Sequence, residues 1–287
     1  MCDKNNKLRP IWDALIEIYI NFSRLCSEYG LRHYVINGTA IGAVRHHGFV
    51  PWDDDFDVAM PREDYDKFVE IVGALPAHLK FVHWRNTPEY KQLFGKIQDT
   101  RRDKVEAVER KVGFMLSNGL FIDVFPIDGF PNMGMKYLTY KIQYQLIKMI
   151  VRFRLTKFRR QTKTGFATWF AGMLIPFFWP LKWSQHSIFS SIEQFAKSIP
   201  FSKSKNTGRV DSSLTFRYVY DKAVWGEPTF VEFENIKIPI PEKIDEYLRL
   251  EYGDYMQLPP ENKRKPSHGY SWRCPWWLGP TKLKGDI

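Results

Sequence analysis

The stretch "FVPWDDDFDVAMPRED", residues 49–64, places Asp53, Asp54, Asp55 and Asp57 almost side by side. Carboxylates this close repel one another, and a run of them inside an apolar stretch is costly unless a cation balances them. Phe56, Val58 and Met60 alternate as in a half-buried strand, which sends every second side chain to the opposite face. Asp55 and Asp57 are therefore expected on one face, joined by Asp53 if the strand starts early, with Asp54 turned away into solvent. Three carboxylates on one edge suit a hard cation such as Mg2+ (or Mn2+), which takes oxygen ligands and keeps positions open for substrate phosphates. The structural alternative is an acidic turn capping a strand.

Such a cluster needs a frame, and the flanking residues supply one. Ile11, Leu15, Ile18, Phe22, Leu25 and Tyr29 recur at the spacing of one helix face, and Gly30 is placed to end that helix. Tyr34-Val35-Ile36 reads as a short buried strand and is followed by the turn "NGTAIG". Thr39 is placed to cap a short helix through His46, which Gly48 ends. The acid-bearing strand is expected over 55–60. Pro61, with Glu63 and Asp64 behind it, opens the next helix, whose buried stripe is Tyr65, Phe68, Val69 and Val72. More strands are expected at 80–84, 91–97 and 120–125, and beyond 205 a strand or two precede a helix near 241–252. This order fits an α/β (α+β) domain with a mixed sheet.

A strand ending in Gly38-Thr39, a short helix and then a strand carrying Asp-Phe-Asp-Val resembles the nucleotidyltransferase-like fold. That resemblance implies a glycine turn where the backbone approaches phosphate, small because a side chain would block the ligand. It also implies two metal-binding carboxylates and a third from a neighbouring strand. Asp123, between Ile122 and Val124 in "FIDVFPIDG", is the candidate for the third, with Asp128 as second choice. Metal ions clamping the attacking and leaving oxygens suit phosphoryl transfer.

The wording goes further. "NGTAIGAVRHHGFVPWDDDFDVAMPREDYDKF" resembles the core of the LicD/fukutin-type phosphotransferases. "FGKIQDTR" (94–101), "FIDVFPIDGFP" (121–131) and "YGDYMQLPPENKRKPSH" (252–268) resemble that family in the same order. The resemblance implies transfer of a phospho-alcohol, foremost phosphocholine from CDP-choline, to a hydroxyl of a cell-surface or lipid-linked glycan such as lipopolysaccharide or teichoic acid. It implies Asp53, Asp55, Asp57 and Asp123 as metal ligands, with Asp55, Asp57 and Asp123 as the catalytic residues. Gly38, Thr39, Arg45, Lys96, Arg101 and His268, the last in the pair Ser267-His268, are the implied donor-binding residues; an arginine can grip phosphate as a bidentate fork. Two other readings stand beside this one. A nucleotidyltransferase that releases pyrophosphate uses the same metal site, and a non-catalytic membrane-associated scaffold is disfavoured by the presence of every expected carboxylate.

The chain has 287 residues, enough to bury a core as one large domain or two smaller ones. Cys2, Cys26 and Cys274 are few and far apart, which argues against a disulfide scaffold and suits a reducing, cytoplasmic compartment. The opening MCDKNNKLRP has no signal-peptide pattern. The net charge of +10 is concentrated: between Asp128 and Glu193 there is no acid, and ten Lys and Arg fall there. Removing those ten from the 42 Lys and Arg leaves 32, matching the 32 Asp and Glu. One cationic module on a balanced globule is not the profile of a nucleic-acid binder.

The organisation expected is a first part of the nucleotidyltransferase-like core in 1–134, a helical, basic and aromatic insert facing a membrane in 135–204, and a completing part in 205–287. Within the insert, "TGFATWFAGMLIPFFWPL" (164–181) is eighteen residues without a charge. A spanning helix takes about twenty, and Pro176 and Pro180 interrupt this one. An interfacial helix is favoured over a span or a buried subdomain, with tryptophans at headgroup depth and Lys/Arg on anionic lipid. That places the protein peripherally on the inner face of the cell membrane. "HGYSWRCPWW" adds Tyr270, Trp272, Trp276 and Trp277 as rings against which a quaternary ammonium can rest.

Overall fold

The computed structural model describes residues 8–88, 90, 92–102, 120–132, 134–155, 184–210 and 219–265. The apolar stripe of the first helical segment forms α1 (Arg9–Glu28), and Gly30 at φ +62° turns the chain away from it. There follow β1 (Tyr34–Val35), α2 (Asn37–His46), β2 (Asp57–Pro61), α3 (Arg62–Ile71), β3 (Leu79–Val82), β4 (Gly95–Asp99) and β5 (Phe121–Phe130). Next come α4 (Met135–Leu155), α5 (Gln185–Ala196), β6 (Asn206–Gly208) and β7 (Tyr220–Asp221). The hairpin β8 (Thr229–Phe233) and β9 (Ile236–Ile240) precedes α6 (Ile244–Tyr252).

The strands build a mixed sheet in the order β1-β2-β5-β4-β3. β2 and β5 run parallel, and the other pairings are antiparallel. β5 is the spine: its first half lies between β2 and β4, and its far end turns to pair with β6. Strand alternation then divides the residues between two faces. Val58, Met60, Ile97, Ile122 and Val124 lie in one apolar cluster with the buried stripe of α1 and with Tyr65 and Phe68 of α3. Ala59, Phe125 and Ile127 belong to a second cluster with Ala40 of α2, Trp225, and Tyr247 and Leu248 of α6. Asp57 and Asp123 share the parity of Ala59 and Phe125 and so stand on this second face. The expected mixed α/β architecture is the one observed.

Several local expectations change. The strand begins at Asp57, so Asp53 and Asp55 lie before it, and alternation does not decide which way they point. Asp54 is fully buried rather than solvated. Thr39 does not cap α2, which starts two residues earlier; its hydroxyl instead accepts the Asp57 N–H at 3.0 Å. His47, left-handed at φ +54°, ends α2 ahead of Gly48. The strand expected over 91–97 runs over 95–99, and β5 takes in the whole of "FIDVFPIDGF".

Of the basic insert, α4 buries Tyr140 and Tyr144, and α5 buries Ile188, Phe189 and Ile192. These side chains form a third cluster with Trp84, Leu93 and Phe130, so this part of the insert is built into the body of the protein. Among the described residues no helix is long and apolar enough to cross a membrane. The uncharged stretch 164–181 lies outside them.

Candidate active site

Two strand-borne carboxylates meet because β2 and β5 are parallel with Asp57 directly opposite Asp123. Both are buried, at 7% and 8% exposure. On the other side of β5, Lys96 is in register with Asp123, and its ammonium approaches the carboxylate to 2.6 Å. Lys96 is itself buried, with Nζ 3.5 Å from the centroid of the Phe121 ring. The paired carboxylate and the π face offset the cost of burying this side chain.

Asp57 is held from the α2 side. Asn37 Nδ2 donates to Asp57 Oδ2 at 2.9 Å, and Asn37 takes the left-handed conformation, φ +52°, that Asn tolerates better than most residues. Burial first, then the charges of Asp55 and Asp123, push the Asp57 carboxyl well above the usual carboxylate range; the Asn37 hydrogen bond and Arg209 oppose that rise. A pair of facing acids with a third close by is a site short of positive charge. A hard divalent cation fits that shortage, with Asp57 and Asp123 as the strand-held oxygen donors. Among the described residues no three acidic, histidine or cysteine side chains already converge as a complete metal cage. What the described residues bring together is a carboxylate pair rather than a three-ligand set.

Asp53 sits against the start of α2. A methyl group added at Gly38 would lie 2.4 Å from Asp53 Oδ2, so the glycine makes room for this carboxylate. The Asp53 carbonyl accepts the indole N–H of Trp12 at 2.8 Å, which ties the acidic segment to α1. Gly38, Thr39, Asp53 and Asp57 therefore come together at the amino end of α2, where helix N–H groups favour anions.

The other expected residues lie elsewhere. Arg101 is engaged by Asp99 at 2.8 Å and by Glu17 of α1 at 2.5 Å. Arg45, on the last turn of α2, donates to the carbonyls of Tyr255 and Gln257 and so fastens the loop after α6. Asp128, the second choice for the third carboxylate, is buried in an ion pair with Arg62 at 2.6 Å and accepts the Val210 N–H. It serves the fold, and Asp123 is the aspartate that faces Asp57. His268 and the rings at 270–277 lie outside the described residues.

Sequence reasoning missed the far wall. Arg209, just after β6, donates to Asn37 Oδ1 at 3.2 Å and lies 3.7 Å from Glu251 of α6. Tyr247 of α6 also donates to Asn37 Oδ1, at 3.2 Å. The only local signal was Asn37 itself, directly before Gly38-Thr39; its partners are distant in the chain and carry no motif.

Residues 30–146 match the family described as LicD/FKTN/FKRP, nucleotidyltransferase domain. The lipopolysaccharide cholinephosphotransferase LicD of Haemophilus influenzae is 31% identical over 277 residues, covering 92% of this chain and 97% of that one. An uncharacterized protein of Rickettsia prowazekii is 26% identical over 113 residues, 39% of this chain and 40% of its own.

Proposed function

The chain belongs to the LicD family, and from that premise we propose that it transfers phosphocholine from CDP-choline to a hydroxyl of a lipopolysaccharide or similar surface glycan. The observation that carries this reading is the facing pair Asp57 and Asp123, with Lys96 on one flank and the amino end of α2 on the other. Likeness along nearly the whole chain to a lipopolysaccharide cholinephosphotransferase supports the choice of alcohol and acceptor.

In the transfer, the acceptor oxygen bonds to the choline-bearing phosphorus, the bond from that phosphorus to the bridging oxygen breaks, and CMP leaves with that oxygen. Asp57 and Asp123 would hold Mg2+ or Mn2+, which when bound offsets charge on the diphosphate and the leaving phosphate. Lys96 pairs with Asp123 and fixes its carboxylate on the strand. Asn37 fixes the other carboxylate by holding Asp57 Oδ2. To Asp55, less buried than Asp57 and Asp123, we assign the passage of the hydroxyl proton to solvent.

A membrane-surface location is part of the proposal. The acid-free stretch with its ten basic residues supports it. So do Met135, Leu138, Ile142 and Leu146, which α4 leaves exposed at the spacing of one helix side. Sedimentation with phosphatidylserine vesicles at low and high salt tests it, and no binding at either salt would refute it.

Incubating the protein with CDP-choline, CDP-ethanolamine, CDP-ribitol, CDP-glycerol and CTP, each with Mg2+, Mn2+ or EDTA, tests the reaction. CMP release from CDP-choline, abolished by EDTA, is the expected result. Pyrophosphate release from CTP would identify a nucleotidyltransferase instead.

A further inference from the structure

The wall opposite the carboxylates is built around a separated pair of charges. Arg209 Nη2 and Glu251 Oε1 are 3.7 Å apart, and the two side chains are only 17% and 7% exposed. That spacing keeps their attraction but is longer than a tight ion-pair hydrogen bond. Each partner also has a second anchor. Arg209 donates to Asn37 Oδ1, and its guanidinium lies 5.1 Å from the centroid of the Phe125 ring. Through Asn37 it is one residue removed from the Asp57 carboxylate. Glu251 accepts the hydroxyl of Tyr220.

Next to Glu251 in sequence is Tyr252, 45% exposed at the end of α6. Its side chain is therefore reachable from solvent. Burial, then Tyr247, Glu251 and Asp57, push that phenol upward, and Arg209 pulls it back. Near Asp57 the fold thus gathers a cation, a carboxylate and an accessible aromatic ring.

A phosphocholine group is a zwitterion whose phosphate and quaternary ammonium are joined by a two-carbon bridge. Its ammonium has no N–H, so it is recognised by carboxylate charge and ring faces rather than by hydrogen bonds. We propose that Arg209 and Glu251 form the recognition pair for this zwitterion, Arg209 facing the phosphate while Glu251 and the Tyr252 ring face the trimethylammonium. The proposal rests on choline being the alcohol transferred. Each side chain then exchanges its protein partner for the opposite charge on the ligand, and neither is left buried and uncompensated. A neutral alcohol such as glycerol would draw Arg209 to phosphate and leave the Glu251 charge unmatched. Selectivity thus comes from penalising the wrong donor as well as from holding the right one.

Calorimetric titration of the full chain with CDP-choline, CDP-glycerol and CDP tests the pair. Tyr252→Leu should weaken CDP-choline by about 3- to 30-fold, the span of a cation held at a ring, and leave CDP-glycerol and CDP unchanged, whereas Glu251→Gln should weaken CDP-choline and, by removing the unmatched charge, tighten CDP-glycerol. Glu251→Asp should recover part of the loss, and Arg209→Gln should weaken all three ligands. Circular dichroism checks that each variant is folded; Tyr252, being half exposed, keeps the test open if a Glu251 variant does not fold. If Glu251→Gln and Tyr252→Leu keep the wild-type preference for CDP-choline, the recognition pair is wrong while the proposed reaction stands. If the wild type itself binds CDP-choline no better than CDP-glycerol, the choline assignment fails and takes this proposal with it.

Discussion

Strand β5 carries two buried aspartates, Asp123 and Asp128, on opposite faces, and the protein uses them in opposite ways. Asp128 is fully buried against Arg62, which also lies 3.7 Å from Glu193. Glu193 in turn meets Arg85 at 2.6 Å and Lys197 at 3.1 Å. Acids and bases alternate there, and the charges close on themselves. Asp123 has Lys96, but it also faces Asp57, with Asp55 near enough to raise the Asp57 carboxyl further. Both places are buried. What separates a structural aspartate from a candidate catalytic one is whether the fold supplies enough opposite charge, and around Asp57 it leaves a shortage for a ligand to fill.

The largest effect is expected from breaking the balanced side. Arg62→Met removes the main partner of a fully buried Asp128, so chemical denaturation should show a loss of about 3–5 kcal/mol. Activity per folded molecule should be unchanged. A stability loss below about 1 kcal/mol would mean that Asp128 finds another partner and that the two aspartates are less different than their surroundings suggest.

The unbalanced side should respond the other way. Asp57→Asn relieves a repulsion, so the variant should melt no lower than the wild type, and above it if no cation is bound. Its CMP release should fall by about 10²- to 10³-fold, the scale of losing one electrostatic stabiliser in a phosphoryl-transfer site. Substantial remaining turnover would remove Asp57 from the candidate site.

Acid gives the finest test, because the two regions have opposite signs. His83 is buried among Glu193, Arg85, Arg62 and Lys197, and burial holds its imidazole down to about 3. The stability it contributes is present above the ordinary histidine value of about 6.5 and is lost as pH falls from there towards 3. Asp57, held above the usual carboxylate range, contributes stability that is present at low pH and lost as pH rises through its raised value. Melting temperature followed from pH 7 to 4 should therefore fall less steeply in His83→Gln, by up to the order of 3 kcal/mol, and more steeply in Asp57→Asn. The same slope in all three proteins would mean that neither group titrates as its surroundings require.

Much of the frame was legible in the sequence because periodicity is a local property. The stripe from Ile11 to Leu25 specifies α1, Pro61 with Glu63 and Asp64 marks the start of α3, and alternation around Val58 and Val124 gives β2 and β5. The motif carrying Asp57 could be named from its local pattern, and Asp123 from the resemblance of the whole arrangement to the nucleotidyltransferase-like fold. Local pattern was weaker where backbone geometry departs from the ideal. Before Asp57 the chain is not yet a strand, so counting by twos misjudged Asp54, and Thr39 proved to serve Asp57 rather than a helix cap.

By itself, then, the sequence determined the elements, the acidic run and the cationic stretch, each written in neighbouring residues. Only the tertiary structure decided which charges meet. Asp123 faces Asp57 because two strands far apart in the chain run parallel in one register, and Asp128 is lost to the site because Arg62 reaches it from α3. Arg209 and Glu251 reach the Asn37 end of the site through the placement of β6 and α6. Coulomb energy depends on distance in space, and a spacing along the chain fixes that distance only within a single element.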